Sequence, residues 1–179
     1  HPGTDTLTYN GTTVSGNVYV EDGRTYVPLR TTVQLLGGDA QWDPYLDGAA
    51  VTTAEAEHGA VDLYWLSRII SAESRGEPME GQIAVGNVVL NRVASKTFPD
   101  TIPTVVFDRQ YAVQFEPVSN GTVYDTPAAS SVEAARRVLN GEKTVEGALY
   151  FYAPALSPGT WIVSNRTYLT TIGCHRFFL

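Results

Sequence analysis

Two different spacings of hydrophobic residues divide the chain. Up to about residue 57, short runs alternate between apolar and polar positions, and Asn-Gly or Asp-Gly pairs separate them. Such runs predict small strands joined by tight hairpin turns, because both pairs readily adopt the positive φ angles that these turns need. The predicted strands are 7–9, 18–20, 25–27, 40–42 and 49–52, with one helix at 29–36. Beyond residue 60, apolar residues recur every three or four positions, which is typical of amphipathic helices.

The second part of the chain is therefore expected to be mainly helical. Helices are predicted at 61–75, 78–95, 102–107 and 126–140, a long loop at 108–125, and strands at 148–152 and 172–178. Gly76 is expected to end the first helix in a left-handed conformation, and Thr126 to cap the last one. The fold class expected is α+β: a small β-rich domain with one helix, then a mainly α-helical domain with a small β-hairpin.

The helix predicted at 78–95 carries a small residue, Gly86, and two polar residues, Asn87 and Asn91, whose positions suggest roles in packing or in a cleft. Gly86 removes side-chain bulk and permits close approach of the preceding helix. Asn87 and Asn91 lie four residues apart on one face. They either form the floor of a cleft or cap buried backbone groups.

Charge separates the same two parts of the chain. The 179 residues have a formal net charge of -7. Residues 1–60 hold 8 acidic residues against 2 arginines, whereas 61–179 hold 11 acidic and 10 basic residues. The excess of acid predicts a domain boundary near residue 60, within or just after a polar linker at 53–59. It also argues against nucleic acid as a partner, because phosphate binding needs a basic face.

The cysteine count and the hydropathy of the chain exclude further kinds of site and protein. The single cysteine, Cys174, excludes an internal disulfide and is expected to be a small core residue. A multi-cysteine metal site is excluded as well, and no metal or cofactor is expected. Neither a signal peptide nor an apolar run of about 18 residues is visible, which predicts a soluble chain without a membrane span. A monomer is expected.

A carboxylate ends the apolar stripe of the first long helix. The apolar members of this stripe are Leu66, Ile69 and Ile70. Glu73 stands at the next position on the same face, so it should face the core or a cleft. Burial there raises the pKa of a glutamate and equips it as a general acid near neutral pH. The competing interpretation is an ion pair with Arg75 or another base.

The residues around Glu73 resemble a family signature. Ala-Glu-Ser-Arg-Gly-Glu-Pro at 72–78 is followed by Gly-Gln-Ile-Ala-Val-Gly-Asn-Val-Val-Leu-Asn-Arg-Val at 81–93. Together these runs resemble the signature of the SleB/CwlJ-type cell-wall hydrolases, the spore cortex-lytic enzyme family, which degrade bacterial peptidoglycan. The likeness continues to the C-terminus, where Gly-x-His-x-Phe at 173–177 fits the same family.

This resemblance implies a lysozyme-like catalytic domain over 58–179. The implied reaction cleaves the glycosidic bond between N-acetylmuramic acid and N-acetylglucosamine, with Glu73 acting first as acid and then as base. The muramic 6-hydroxyl would attack in place of water, as in a lytic transglycosylase. The implied partner is the peptidoglycan glycan strand, in spore cortex or cell wall, and the implied location is secreted and associated with the wall or spore.

Candidate substrate-binding residues follow from the chemistry of sugar recognition, which uses flat apolar faces and amide groups. The long loop supplies both kinds of group, including Tyr111, and the family resemblance adds residues near the C-terminus. The candidates are Gln114, Phe115, Tyr150, Trp161 and His175. The competing interpretation is that the loop aromatics pack onto their own domain and that His175 is structural.

The residues of the chain leave two other functions open and argue against two more. Hydrolysis by two carboxylates, as in a muramidase or glucosaminidase, remains open, with Glu77, Glu80, Glu116 and Asp125 as candidates for the second acid. A non-catalytic wall-binding protein also remains open. A zinc amidase is disfavoured because no His-Glu-x-x-His spacing is present, and a serine hydrolase because no Gly-x-Ser-x-Gly turn is present.

The first segment, residues 1–57, has a resemblance of its own. Gly-Arg-Thr-Tyr-Val-Pro-Leu-Arg at 23–30 and Gln-Trp-Asp at 41–43 are similar to the small domain named for the N-terminus of copper amine oxidases. The name implies neither copper nor oxidase chemistry in this chain. An accessory or anchoring domain is expected, against a unit that only caps the enzyme. Arg30 and Trp42 are expected to form a buried pair, with ligand contact as the alternative.

Overall fold

The chain folds into two compact units, His1–Val61 and Asp62–Leu179. The structure, a computed structural model, describes residues 5–110 and 113–179, so the predicted loop residue Tyr111 lies outside the described residues. None of the helices within the described ranges has the length and apolar character needed to cross a membrane.

From residue 5 onward, where the structure describes it, the first unit contains three two-stranded antiparallel sheets and one helix. The pairs are β1 (Thr6–Tyr9) with β2 (Thr12–Ser15), β3 (Tyr19–Glu21) with β4 (Arg24–Tyr26), and β5 (Asp39–Asp43) with β6 (Gly48–Thr52); α1 (Leu29–Leu35) lies between the second and third pairs. The predicted hairpins and the helix are confirmed, although β2 was not predicted as a strand. Asn10 and Gly11 have φ angles of 49° and 80°, as the tight turn requires.

Trp42 is exposed in this unit, which contradicts the predicted buried pair with Arg30. Its side chain is 59% exposed, and Arg30 is also exposed. Trp42 lies opposite Ala49 in the β5–β6 register, and a methyl group is too small to cover an indole ring. Ala40 is the one buried hydrophobic residue among the described residues of this unit. The unit therefore has a small core and much exposed apolar surface.

Within its described residues, the second unit combines six α-helices with a three-stranded antiparallel sheet. The helices are α2 (Ala60–Ser74), α3 (Met79–Val93), α4 (Ile102–Val106), α5 (Glu116–Asn120), α6 (Ala129–Leu139) and α7 (Thr160–Asn165). The strands are β7 (Tyr150–Tyr152), β8 (Tyr168–Ile172) and β9 (His175–Phe178), in the order β7-β9-β8. The predicted pairing of the 148–152 segment with the C-terminal strand is confirmed.

Several local predictions in this unit are wrong. The loop at 108–125 contains α5 and a 3-10 turn at Thr122–Tyr124, and helix α7, which carries Trp161, was not predicted. The strand predicted at 172–178 is two strands, with β8 missed and a turn at Gly173. Local composition could not show these elements, because each is too short to carry a clear hydrophobic period.

Three helix ends also differ from expectation. Gly76 does not take the left-handed conformation, because the amide of Glu77 closes the turn on the carbonyl of Ser74 at 2.8 Å. α6 begins at Ala129, three residues after Thr126, without a side-chain cap. Pro78 precedes α3 as its cap residue rather than its first helical residue.

The core of the second unit forms where α2, α3 and α6 meet. The fully buried residues include Trp65, Leu66, Ile69 and Ile70 from α2, Val85, Val88 and Val89 from α3, and Ala134, Ala135 and Val138 from α6. Gly86 allows the close approach of these helices. A Cβ atom added there would lie 2.8 Å from Cδ1 of Ile70 and 2.9 Å from Cγ2 of Val138.

Polar side chains of α3 bind backbone groups elsewhere in the unit. The amide of Asn87 donates to the carbonyl of Glu142 at 2.8 Å and accepts from the amide of Thr144 at 2.7 Å. Asn91 donates to the carbonyls of Val145 and Ala148 at 3.1 and 3.0 Å. Of the two roles predicted for these asparagines, the structure shows the capping of backbone groups. They fix the connection that leads into β7.

Gln82 makes a further link of the same kind. Its Nε2 donates to the carbonyl of Glu77 at 3.0 Å, and its Oε1 accepts from the Ser131 hydroxyl at 2.8 Å. The side chain is 3% exposed. Gln82 thus joins the α2–α3 turn to α6 inside the core.

Gly86→Ala should destabilise the second unit although alanine favours helix. The added Cβ must displace Ile70 and Val138, which costs about 1–3 kcal/mol for an overpacked core, against a gain of about 1 kcal/mol in helix propensity. Urea unfolding measures the difference. Gly76→Ala is the matched control, because its Cβ meets nothing within 4 Å. Equal stability of the two variants would contradict the close packing at Gly86.

Candidate active site

Glu73 lies in the last turn of α2 and faces a cavity of about 520 Å³. The preceding residues of its stripe, Leu66, Ile69 and Ile70, are fully buried, while Glu73 itself is half-buried. We call this the central cavity. Its lining includes Glu73, Arg92, Gln114, Phe115, Glu116 and His175.

The environment of Glu73 favours its protonated form. Burial, reinforced by the negative charge of Glu116, raises the pKa of Glu73 from 4.5 to about 7, although the charge of Arg92 acts in the opposite direction. Near neutral pH the carboxyl group therefore exists in both protonation states. A group with this pKa can both donate and accept a proton during one reaction.

The predicted alternative, an ion pair with Arg75, does not describe this site. Arg75 is exposed and lines a separate small cavity of about 230 Å³. Arg92 is the base whose charge acts on Glu73, and its effect is weaker than that of burial. The raised pKa of Glu73 is thus caused mainly by desolvation.

A larger cavity of about 1190 Å³ adjoins the central cavity. Arg92, Gln114 and Phe151 line both, so the two cavities adjoin at these residues, and we call the two together the groove. We call the larger one the aromatic cavity, because Tyr150 and Trp161 form part of its wall. Glu73 lies in the smaller part of this groove.

All the sequence-predicted site residues line this groove, but with different accessibility. Gln114 borders both cavities, Tyr150 and Trp161 border the aromatic cavity, and Phe115 and His175 border the central one. Trp161 is 56% exposed and offers a ring face to a ligand. Phe115 and His175 are 2% and 6% exposed, so they shape the wall rather than present a broad surface.

Arg166 contacts both aromatic residues, Tyr150 and Trp161, in the wall of the aromatic cavity. Its guanidinium lies 4.5 Å from the ring centroid of Tyr150 and 4.8 Å from that of Trp161. Nη2 of Arg166 also donates to the Tyr150 hydroxyl at 3.0 Å. The two rings lie 6.1 Å apart at 63° to each other. These contacts hold the exposed indole in a defined orientation, which suits stacking against a sugar ring.

His175 is neutral in this setting. Burial lowers the pKa of the imidazole, and the nearby negative charge of Glu77 only partly offsets this effect. The ring packs edge-on against Phe151 at 5.3 Å. His175 therefore contributes shape and an uncharged polar group to the central cavity.

The four candidates for a second carboxylate lie in different places. Glu116 shares the central cavity with Glu73, whereas Asp125 lines the small third cavity and Glu80 is exposed in the first turn of α3. Glu77 accepts a hydrogen bond from the amide of Cys174 at 2.8 Å. Glu77 therefore holds the β8–β9 turn, and Glu116 is the carboxylate that acts on Glu73.

The same turn explains Gly173 and corrects the prediction for Cys174. Gly173 has a φ angle of 57°, and a Cβ atom there would overlap Oε2 of Glu77. Cys174 is exposed, not a core residue, because it lies in this turn at the protein surface.

Sequence reasoning gave no role to Arg92 or Phe151, which both line the two cavities. Arg92 is 4% exposed and follows an almost continuous buried run on α3. A charged residue that comes directly after such a run is the signal that could have identified Arg92. Phe151 had no comparable signal, since an aromatic residue in a short strand is usual.

Within the described residues, no group of three or more His, Cys, Asp or Glu side chains could hold a metal ion. The groups that line the groove and can act on a ligand include carboxyl, guanidinium, ammonium, amide, imidazole, hydroxyl and aromatic groups.

Comparison with known proteins identifies both units. The model of the Cell Wall Hydrolase family matches residues 76–178, and that of the Copper amine oxidase N-terminal domain matches residues 8–61. The first match begins three residues after Glu73, so it does not by itself assign that residue.

Individual relatives agree with this result. The spore cortex-lytic enzyme of Halalkalibacterium halodurans is 36% identical over 126 residues, which cover 70% of this chain and 37% of the relative. That of Bacillus cereus is 34% identical over 143 residues, or 79% of this chain and 52% of the relative. The catalytic domain of the germination-specific lytic transglycosylase SleB from Bacillus anthracis superposes with a TM-score of 0.62 and 34% identity, covering 69% of this chain and 98% of that domain.

The second unit thus has the fold of the SleB domain. The chain belongs to the Cell Wall Hydrolase family. The resemblances of both segments and the α+β fold class are confirmed. The chain spans about half or less of the length of the two curated relatives.

The raised pKa of Glu73 should make the stability of the protein depend on pH. The folded state holds the proton up to about pH 7 while the unfolded chain releases it near 4.5, so this residue lowers stability as pH rises through that window. Glu73→Gln removes the effect. We expect the variant to gain roughly 2–3 kcal/mol over the original protein between pH 4 and pH 8.

Urea unfolding of both proteins at the two pH values checks this gain. The comparison at pH 4 is the internal control, because Glu73 is protonated there in both the folded and unfolded states. A stability difference that does not change with pH would show that Glu73 titrates normally.

Proposed function

We propose that this chain is a peptidoglycan-cleaving enzyme that acts on the glycosidic bond between N-acetylmuramic acid and N-acetylglucosamine as a lytic transglycosylase. The observation that carries the proposal is the half-buried Glu73 in the groove, with a pKa raised to about 7. Membership of the Cell Wall Hydrolase family and similarity to a domain named as a lytic transglycosylase support it.

In the proposed reaction, Glu73 first acts as an acid. Its protonated carboxyl donates to the glycosidic oxygen, the bond to the anomeric carbon of the muramic residue breaks, and positive charge develops at that carbon. The resulting Glu73 carboxylate then takes the proton of the muramic 6-hydroxyl. The hydroxyl oxygen attacks the anomeric carbon, which forms a 1,6-anhydro ring and returns Glu73 to its protonated form.

The groove provides groups that suit a glycan chain, both in the central cavity beside Glu73 and in the adjoining aromatic cavity. The exposed ring of Trp161 and the half-buried Tyr150 offer apolar faces in the aromatic cavity. Gln114 borders both cavities and offers an amide, and His175 adds an uncharged polar edge. Stacking and amide hydrogen bonds are the usual means of holding sugars. We therefore propose Gln114, Phe115, Tyr150, Trp161 and His175 as substrate-binding residues.

Hydrolysis is the second candidate, and one observation favours it. Glu116 lines the same cavity as Glu73 and its charge acts on Glu73. A second carboxylate beside a protonated one is the arrangement that glycoside hydrolases use to activate water or to form a covalent intermediate. The product of the reaction distinguishes the two candidates.

The biological setting follows from the relatives. The curated relatives are named spore cortex-lytic enzymes, so we propose a role at the spore cortex or cell wall, on peptidoglycan strands. Secretion is part of the same proposal. The first unit, which matches the copper amine oxidase N-terminal domain, would then be an accessory or anchoring domain.

Glu73→Gln should abolish most of the cleavage. Glutamine keeps the size and hydrogen bonding of the side chain but cannot donate a proton, so the rate on purified peptidoglycan should fall by about 10²–10⁴ or more. Mass spectrometry of the products of the original protein should show 1,6-anhydromuramic ends. Hydrolytic products would be heavier by one water, about 18 Da, because the two routes differ only in the attacking oxygen.

Two further variants sharpen this experiment. Glu133→Gln, on the exposed face of α6, is the control for surface charge and should leave the rate unchanged. Glu116→Gln should lower the pKa of Glu73 and move the pH profile to lower pH, with the anhydro product retained. Near-normal activity of Glu73→Gln would refute its role, and water-added products that disappear in Glu116→Gln would establish hydrolysis.

The first unit should be dispensable for the chemistry. A chain that begins at Gly59 keeps all of α2 and every residue of the groove. We expect it to fold and to cleave soluble glycan fragments at a rate comparable to the full chain, while binding less well to intact walls. Pelleting with insoluble peptidoglycan measures the binding. A truncated chain that is folded but inactive on soluble fragments would show that the active site needs the first unit.

A further inference from the structure

Arg92 is a buried cation at the junction of the central and aromatic cavities. Its side chain is 4% exposed, and it lines both cavities. Nε donates to the carbonyl of Leu149 at 2.8 Å, which fixes the guanidinium against the start of β7. Nη1 is also buried and has no hydrogen-bond partner within residues 5–110 and 113–179.

Three aromatic rings lie near the guanidinium of Arg92, and the negative charges of Asp108 and Glu73 also act on it. Its guanidinium carbon lies 4.9 Å from the ring centroid of Phe98, 5.0 Å from that of Phe115 and 5.7 Å from that of Tyr150. Ring faces attract the charge but do not replace a hydrogen-bond acceptor for Nη1. Burial lowers the pKa of Arg92 to about 10, so the group still carries its charge at neutral pH.

An unsatisfied charged donor inside a protein is costly, and such groups need an explanation. Substituting a hydrophobic residue would remove the cost if Arg92 served only to fill space. Here the donor borders a groove that passes on both sides of it. The missing acceptor is therefore one that a ligand brings.

The chemistry of the proposed substrate limits what this acceptor can be. Sugar hydroxyls are weak acceptors, whereas each residue of the strand carries an acetamido carbonyl, and each muramic residue also carries a lactyl acyl group. These acyl oxygens are the strong acceptors of a peptidoglycan strand. A guanidinium matches them well because its donors are planar and charged.

We propose that Arg92 forms a subsite for the acyl oxygen of a muramic residue, which it binds through its unpaired Nη1. Two acyl groups are candidates, the lactyl group and the acetamido group. In peptide-free strands the lactyl group ends in a free carboxylate, whereas the acetamido group offers an uncharged carbonyl. This inference rests on the proposed function, since it assumes a glycan strand in the groove. It assigns to Arg92 the recognition of muramic acid rather than a step in bond cleavage.

The test measures binding in the Glu73→Gln background, where no turnover occurs and where Arg92 cannot act through the titration of Glu73. The probes are two tetrasaccharides of equal length: a peptide-free strand that alternates N-acetylglucosamine and N-acetylmuramic acid, and chitotetraose, which lacks lactyl groups. Calorimetry gives the dissociation constants. Arg92→Met removes the charge and the donors, and Arg92→Lys keeps the charge without the planar fork.

Arg92→Met should weaken binding of the muramic tetrasaccharide by about 10- to 100-fold, the loss expected for a hydrogen bond to a charged group. Arg92→Lys should recover part of this loss. Chitotetraose should be affected little if the lactyl carboxylate is the ligand. An equal loss for both tetrasaccharides would show that Arg92 binds an acetamido carbonyl of either sugar, and it would overturn the recognition of muramic acid.

Arg176→Lys and Arg176→Met are the matched controls. Arg176 is exposed on β9 between the buried residues His175 and Phe177, so its side chain points away from the groove wall. Both controls should bind as the parent does. Thermal unfolding verifies that each variant is folded, and Arg92→Lys carries the test if Arg92→Met does not fold.

The possible outcomes separate this inference from the proposed function. Unchanged binding of both tetrasaccharides in folded Arg92 variants overturns the subsite while the role of Glu73 stands. A parent protein that binds neither tetrasaccharide overturns both. If Arg92 variants with Glu73 intact change only the pH profile of cleavage, and binding is unaffected, Arg92 is an electrostatic neighbour of Glu73 and not a subsite.

Discussion

The burial of α3 is the constraint on which the second unit depends. Gly81 to Val89 are all buried, so the polar groups of this helix must find their partners inside the protein. Most of them bind backbone groups outside the helix, in the α2–α3 turn and in the connection that leads into β7. The hydrogen bonds that satisfy the polar groups of α3 therefore also position several other segments. The groove is assembled from these segments, which explains how residues far apart in sequence line one cavity.

The same packing sets the electrostatics of the candidate active site. Glu73 follows directly on a fully buried stripe, so water has limited access to its carboxyl group. Stability and function are thus opposed at this residue: the desolvation that makes it a useful acid also penalises its ionised form in the folded protein.

The sequence predicted those features that local pattern determines. The Asn-Gly and Asp-Gly turns, the helical face that carries Glu73 and the pairing of the C-terminal strand follow from spacing and residue type. Burial by distant segments does not follow. Trp42 is exposed because Ala49 lies opposite, and Cys174 because its turn lies at the surface. Glu116 could not be selected among four acids, because its proximity to Glu73 depends on how α5 folds inside a segment predicted to be a loop.

The bond between Glu77 and the amide of Cys174 has a chemical consequence for the thiol. The chain has one cysteine, and it is exposed. Such a thiol would ordinarily be open to oxidation and to crosslinking of two chains, but the attacking species in both cases is the thiolate. The negative charge of Glu77, with a hydrogen bond from the thiol to it, raises the pKa of Cys174. The carboxylate that holds the hairpin turn thus also favours the protonated sulfur, which is the less reactive form in oxidation and in disulfide exchange.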